Sequence, residues 1–117
     1  MQVHEFYQAI GVDFDEVRAF FRKEERLKRY LAQTMDDPAF SSLDEAMKNE
    51  AFDEAFRAAH TIKGMSLNLM IKPMTVVAVD LVETLRGGQP DPVEAAERYR
   101  AFKKVSDEVA GYVRSIV

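Results

Sequence analysis

Residues 52–69 read FDEAFRAAHTIKGMSLNL, and this stretch sets the architecture of the chain. Small and apolar side chains recur in it at alternating intervals of three and four residues, the spacing of a helix that buries one face against other helices. The members of this seam are Phe52, Ala55, Ala59, Ile62, Ser66 and Leu69. The pattern predicts a helix from Asp53 to Met70. At 100° per residue, His60 lies roughly 130° from the centre of the seam, so we expect its ring to point away from the core.

Glycine and proline residues divide the rest of the chain into further helices, and no segment alternates as a strand would. The expected helices are Val3–Ile10, Phe14–Gln33, Ala39–Asn49, Pro73–Arg86 and Pro92–Ser115. Imperfect apolar spacing in the second of these indicates a bend near Lys23. Because short connections favour antiparallel neighbours, we predict an all-α fold. Its expected form is an antiparallel up-and-down four-helix bundle with one or two additional short N-terminal helices, in a single domain over residues 1–117.

The composition excludes several classes of protein. Hydrophobic residues make up 47% of the 117 and charged residues 31%, which is typical of a soluble globular domain. No apolar run approaches the roughly 18 residues of a membrane span. The chain has no cysteine, so disulfides and thiolate metal sites are excluded, and we expect a cytoplasmic protein. No Glu-x-x-His pair accompanies His4 or His60, which argues against a carboxylate-bridged metal centre in a helical bundle. We predict no metal site and no cofactor.

The charge balance argues against nucleic acid as a partner. The net charge is −4, whereas a general nucleic-acid binder carries a basic stripe. The basic residues between positions 22 and 29 alternate with Glu24 and Glu25. We interpret this cluster as the solvated side of a helix; the alternative is a nucleic-acid patch.

His60 has an unusual set of neighbours on the predicted helix. Residues within roughly 60° of it on the helical wheel are Asp53, Phe56, Arg57, Lys63, Gly64 and Leu67. Phe56 and Leu67 are apolar residues away from the seam, beside the cations Arg57 and Lys63, and such a patch suggests a surface that binds a partner. Alternatively, Phe56 leans into a neighbouring helix and His60 is an ordinary surface histidine.

The residue types at this position suit phosphoryl transfer. A neutral imidazole is a nucleophile near pH 7, and its phosphorylated product is reactive enough to pass the group on. Lys63 lies one turn away and offers a countercharge to the phosphoryl group. Gly64 costs roughly 0.5–1 kcal/mol relative to alanine within a helix, which suggests that something approaches the backbone there. With no Walker loop or other nucleotide motif, we expect a carrier without kinase activity of its own.

These residues resemble the histidine-containing phosphotransfer (HPt) domains of two-component phosphorelays. The resemblance is carried by residues 59–64, which read AHTIKG, and by Asn68 and Leu69 beyond them. Residues 43–47 and 52–57 resemble the segment that leads into the active helix in that family.

The resemblance implies a four-helix bundle whose exposed histidine exchanges phosphate with the aspartate of a receiver domain. It implies that His60 is the phosphoacceptor, that Lys63 steadies the phosphoryl group, and that Gly64 leaves clearance for docking. Two positions depart from the family: Met70 stands where members commonly have glycine, and Val82 stands where some members place a polar side chain near the histidine. Glu83 and Arg86 are candidates to substitute for that polar group.

Three functional hypotheses follow from the sequence. The first is a free-standing phosphorelay intermediate that meets a response-regulator receiver domain or a histidine kinase through a surface including Phe56, Arg57 and Leu67. The second is a catalytically silent module that binds a receiver without transfer. The third is a structural helical bundle with an incidental histidine. Because transfer needs the face around His60 open, we expect a monomer.

Overall fold

The computed structural model describes all residues from Met1 to Val117, and the chain is helical with no strand. It has seven helices: α1 (Val3–Ala9), α2 (Phe14–Phe20), α3 (Glu24–Met35), α4 (Pro38–Lys48), α5 (Phe52–Asn68), α6 (Lys72–Leu85) and α7 (Pro92–Arg114). None of these helices combines the length and the apolar character required to cross a membrane.

Several helices begin where the sequence indicates. Asp13, Asp37 and Asp91 are N-caps, and the carboxylate of each accepts a hydrogen bond from the backbone N–H two residues later. Proline occupies the first turn of α4, α6 and α7, where its missing N–H costs no hydrogen bond. The predicted helix boundaries outside the N-terminal region are therefore within two residues of the observed ones.

The predicted helix from Phe14 to Gln33 is wrong in one respect, because the bend near Lys23 is a complete break. α2 ends at Phe20 and α3 begins at Glu24, with extended backbone at Lys23. In one straight helix Phe21 and Leu27 would point about 120° apart. The break allows Leu27 to be fully buried while Phe21 also packs against the core.

The helices pack mainly with their neighbours in the chain: α4 with α5, α5 with α6, and α6 with α7, while α3 also packs on α7. Side chains join α4 to α7. The Phe40 and Phe102 rings stack with centroids 6.4 Å apart, and the Tyr99 hydroxyl donates a hydrogen bond to Asp44. Burial, and secondarily the Asp44 carboxylate, raise the pKa of Tyr99. All seven helices contribute to a core of 26 buried hydrophobic residues.

The N-terminal helix α1 is anchored at the C-terminal end of α5. The Tyr7 hydroxyl is buried and donates a 2.7 Å hydrogen bond to the Leu69 carbonyl. Phe6 beside it is also fully buried. Burial of Tyr7 raises its pKa above the usual value for tyrosine. The short helix α1 is therefore part of the core that positions α5.

Candidate functional site

α5 presents one face to the core and the other to solvent. Four members of its seam, Ala55, Ala59, Ile62 and Ser66, have no exposed surface. His60 is exposed, which agrees with its predicted position on the helical wheel. The imidazole is therefore accessible to another molecule.

A polar contact in the core fixes α5 against α6. The Ser66 hydroxyl donates to the Lys63 carbonyl at 2.8 Å and lies 2.8 Å from the Thr75 hydroxyl on α6. A buried hydroxyl needs such partners, because an unpaired polar group in the core costs free energy. The contact holds the two helices in register one turn beyond Lys63.

Gly64 leaves a bare stretch of backbone on the exposed side of α5. The residue is half-buried, and a Cβ atom added to it would meet nothing within 4 Å. No contact within the chain therefore requires glycine here. Its helix-weakening cost, roughly 0.5–1 kcal/mol, is not offset by closer packing inside the molecule.

Lys63 is half-buried on the flank of α5 that faces α6, and it forms no ion pair. The charge of Lys63 affects the pKa of Glu83 on α6. The Arg86 guanidinium lowers the pKa of Glu83 by hydrogen bonding and by charge, and Lys63 contributes a smaller effect in the same direction. The ammonium of Lys63 thus remains available to an anion beside His60.

The Phe56 ring contacts both His60 and Arg86, the residue that follows α6. Its ring stacks almost parallel to the imidazole, with centroids 6.1 Å apart and an interplanar angle of 10°. The Arg86 guanidinium lies 5.5 Å from the centroid of the same ring and pairs with Glu83 at 2.8 Å. Phe56 is half-buried, so it both packs against the core and supports the imidazole.

Arg57 and Leu67 lie on opposite flanks of the His60 face. Arg57 is exposed and lines a shallow hollow with Ala39 and Ser42 of α4. Leu67 is 54% exposed and shares a hollow with Val76 of α6. Of the predicted partner-binding residues, Phe56 therefore stacks on the imidazole, Arg57 lies towards α4 and Leu67 lies towards α6.

The exposed surface of α6 includes two apolar residues that the sequence reasoning missed. Val76 and Val79 are 62% and 36% exposed on the first turns of α6. Their spacing of three residues places them together, away from the buried Ala78 and Leu81. That spacing is the signal that could have identified them.

The two departures from the family pattern have different outcomes. Val82 is fully buried, so it adds no exposed surface to the site. Arg86, one turn further along, reaches Phe56 instead. Met70 adopts a left-handed backbone with φ of 57° just after α5, the conformation that glycine adopts most easily.

No three His, Asp or Glu side chains lie close enough together to hold a metal ion. The site thus consists of one exposed imidazole, one unpaired ammonium and an open strip of backbone, flanked by apolar side chains.

A family model described as "Hpt domain" matches residues 25–111, well over half of the chain. The chain belongs to the Hpt family. No curated protein and no solved structure gave a significant match. Hpt domains transfer phosphoryl groups in two-component phosphorelays and interact with response regulators and histidine kinases.

The match leaves residues 1–24 and 112–117 of the Hpt chain outside it. It begins at the second residue of α3 and ends within α7, so it contains His60, Lys63 and Gly64. α1 and α2 precede it, although both contribute buried residues to the core.

Proposed function

We propose that this Hpt domain is a phosphorelay intermediate in which His60 accepts a phosphoryl group from a receiver aspartate and returns it to one. The observation that carries the proposal is the exposed imidazole of His60 beside the unpaired Lys63 and the open backbone of Gly64. The partner is a response-regulator receiver domain, with a histidine kinase as a further source or target of signal.

The transfer step follows from the chemistry of the groups. A lone pair on an imidazole nitrogen attacks the phosphorus of the aspartyl phosphate, the bond from phosphorus to the carboxyl oxygen breaks, and the aspartate leaves as a carboxylate. The ring proton carried by the attacking imidazole is lost to solvent. Lys63 stabilises the negative oxygens of the transferring group. The reverse sequence returns the phosphoryl group to a second aspartate.

The packing of α5 against α4 and α6, with one face buried, supports this role. We propose that α4–α7 form the antiparallel up-and-down four-helix bundle of the family, within a single domain over residues 1–117. The sequential packing of these helices and the contact of Phe40 with Phe102 support this arrangement. The protein would act as a carrier with no kinase activity of its own.

Phosphoryl uptake from a phosphorylated receiver domain tests the proposal. The wild-type protein should gain a label that is labile in acid and stable in base, and His60→Gln should gain none. His4→Gln is the matched control, because His4 is the other histidine and is also exposed; it should be labelled normally. Equal labelling of His60→Gln and wild type would refute the assignment.

A receiver-binding module without transfer is the second candidate. The observation in its favour is that Glu83 and Arg86, the candidate polar groups of α6, pair with each other and not with His60. In that case His60→Ala would leave both receiver affinity and signalling output unchanged. Under the first proposal, the same variant retains receiver binding and loses output.

A further inference from the structure

The break between α2 and α3 carries an aromatic and basic surface that is separate from the His60 face. Phe20 is 76% exposed and Tyr30 is 39% exposed. The Phe21 and Tyr30 rings meet edge to face with centroids 6.4 Å apart. Exposed aromatic side chains combined with arginine are typical of surfaces that bind partners.

Two hollows lie on either side of this aromatic pair. One, of about 380 Å³, is lined by Phe20, Phe21, Arg22, Lys23, Arg26 and Tyr30. The other, of about 420 Å³, shares Phe21 and Tyr30. Its remaining lining residues are Gln33, Thr34 and Asp37 near the end of α3, and Met65, Asn68 and Leu69 at the end of α5. Because Phe21 and Tyr30 line both hollows, the two lie next to each other across this aromatic pair, one with a basic lining and the other with a more apolar one. We call these two hollows together the kink groove.

The basic end is positively charged, although the chain as a whole has a negative net charge. Residues 18–30 contain six of the 16 basic residues and only two of the 20 acidic ones, a local charge of +4 in a chain whose net charge is −4. Within this segment the one ion pair joins Lys28 to Glu25. Arg22, Lys23 and Arg26 are exposed and have no ion-pair partner.

We propose that the kink groove binds an acidic linear segment of a partner protein. Carboxylates of the segment would pair with Arg22, Lys23 and Arg26, since arginine and lysine clusters recognise acidic motifs. An apolar side chain of the segment would lie against Phe21, Met65 and Leu69.

A linear peptide fits the groove better than the other anionic partners. The cations surround a hollow, whereas a membrane surface requires cations on a convex or flat face. Three cations at one end are also too few for the continuous basic stripe that nucleic acid requires. A concave surface with a basic end and an apolar end therefore favours an acidic peptide with an apolar anchor.

The groove does not depend on phosphotransfer. Asn68 lies eight residues beyond His60, about 12 Å along the axis of α5. None of the residues that line the basic end belongs to the His60 face. Acidic-segment binding would therefore survive the loss of the imidazole, and its failure would leave the proposed function of His60 intact.

Fluorescence anisotropy with a defined probe tests the inference. The probe is a fluorescein-labelled eight-residue peptide of aspartate and glutamate with one phenylalanine and one leucine, and its lysine-substituted counterpart is the charge control. We expect the acidic peptide to bind the full chain. The double variant Arg22→Glu/Arg26→Glu should weaken binding at least about tenfold.

Three further variants define where the peptide binds. Arg98→Glu/Arg100→Glu makes the same charge change at exposed residues of α7 and should have at most a small effect. Tyr30→Ala should weaken binding while its circular dichroism spectrum shows an intact fold. His60→Gln should bind as wild type does.

The inference is overturned if the acidic peptide does not bind at millimolar protein concentration, or if both double variants weaken binding equally. It is also overturned if His60→Gln abolishes binding. Tighter binding to phosphatidylserine vesicles or to a single-stranded oligonucleotide than to the peptide, lost in Arg22→Glu/Arg26→Glu, would assign the groove to those partners instead.

Discussion

At the scale of single residues, the contrast between Gly64 and its surroundings is the most informative feature of the site. A glycine within a helix weakens it, and here no neighbouring side chain needs the space. Gly111 of α7 is a useful comparison, because it also lies within a helix and a Cβ there would meet only the end of Arg114 at 4.0 Å. Gly64 lies on the same helix as His60, four residues beyond it, whereas Gly111 lies on α7.

Replacement of Gly64 should separate stability from function. Gly64→Ala should raise the free energy of unfolding by about 0.5–1 kcal/mol, since alanine favours the helix. Gly64→Gln should lower the rate of transfer from a phosphorylated receiver by at least about tenfold, because its side chain holds the partner away from the imidazole. Urea unfolding and transfer kinetics measure the two effects.

Gly111→Ala should stabilise the protein without changing transfer. If Gly64→Gln transfers phosphate as fast as wild type, the open backbone has no role in docking.

Some features of the site could be predicted from the sequence, but those that depend on the packing of α6 against α5 could not. The wheel around α5 was sufficient to predict that His60 faces solvent, because its seam is regular. It could not predict that Arg86 lies over the ring of Phe56, since this contact depends on how α6 packs beside α5. The same packing buries Val82 and exposes Val76 and Val79.

At the scale of helices and their ends, two residues other than glycine adopt left-handed backbone conformations. Glu50 has φ of 51° after α4, and Met70 has φ of 57° after α5. In each case the N–H of the following residue donates to a carbonyl of the last turn, Ala51 to Ala46 and Ile71 to Ser66. These are Schellman motifs, in which glycine is the favoured residue.

Glycine substitutions at these two positions should have unequal effects. Glu50 is exposed, so Glu50→Gly should relieve the backbone and stabilise the protein by up to about 1 kcal/mol. Met70 packs against the core, so Met70→Gly should lose packing that offsets the same gain. Thermal unfolding of both variants measures the difference, and a loss of stability in Glu50→Gly would contradict this account of the helix ends.

The helices themselves were largely predictable because aspartate caps, prolines and glycines mark their ends locally. The spacing of Phe21 and Leu27 predicted a bend near Lys23, but it did not predict that the helix ends there, because no proline or glycine marks the break and its cause is tertiary. Leu27 and Phe21 can both pack in the same core only because the helix is interrupted between them.

At the scale of the whole molecule, α1 and α2 extend the core beyond the residues matched by the Hpt family model. Tyr7 connects this extension to the carbonyl of Leu69, one residue beyond the last turn of α5. Because the pKa of Tyr7 is raised in the folded state, its hydroxyl loses a proton at a lower pH in the unfolded chain than in the folded one.

The stabilising effect of the buried Tyr7 hydroxyl should therefore be fully present below the unfolded pKa of about 10 and should decline above it. Tyr7→Phe should lower stability at neutral pH by about 1–2 kcal/mol, through loss of the bond to Leu69. The same variant should show a shallower decline in stability above pH 10.

Urea unfolding at several pH values measures both effects, with Tyr112→Phe as a control at a more exposed position. An alkaline decline that is identical in Tyr7→Phe and wild type would show that Tyr7 is not the group responsible.

The central claim is that the imidazole of His60 receives the phosphoryl group from a docked partner. The most direct measurement is the imidazole nitrogen spectrum of the ¹⁵N-labelled protein while a phosphorylated receiver domain is added. We predict that the ring resonances of His60 shift to those of a phosphohistidine and that the resonances of His4 stay unchanged. Unchanged His60 resonances while the receiver loses its phosphoryl group would contradict the account.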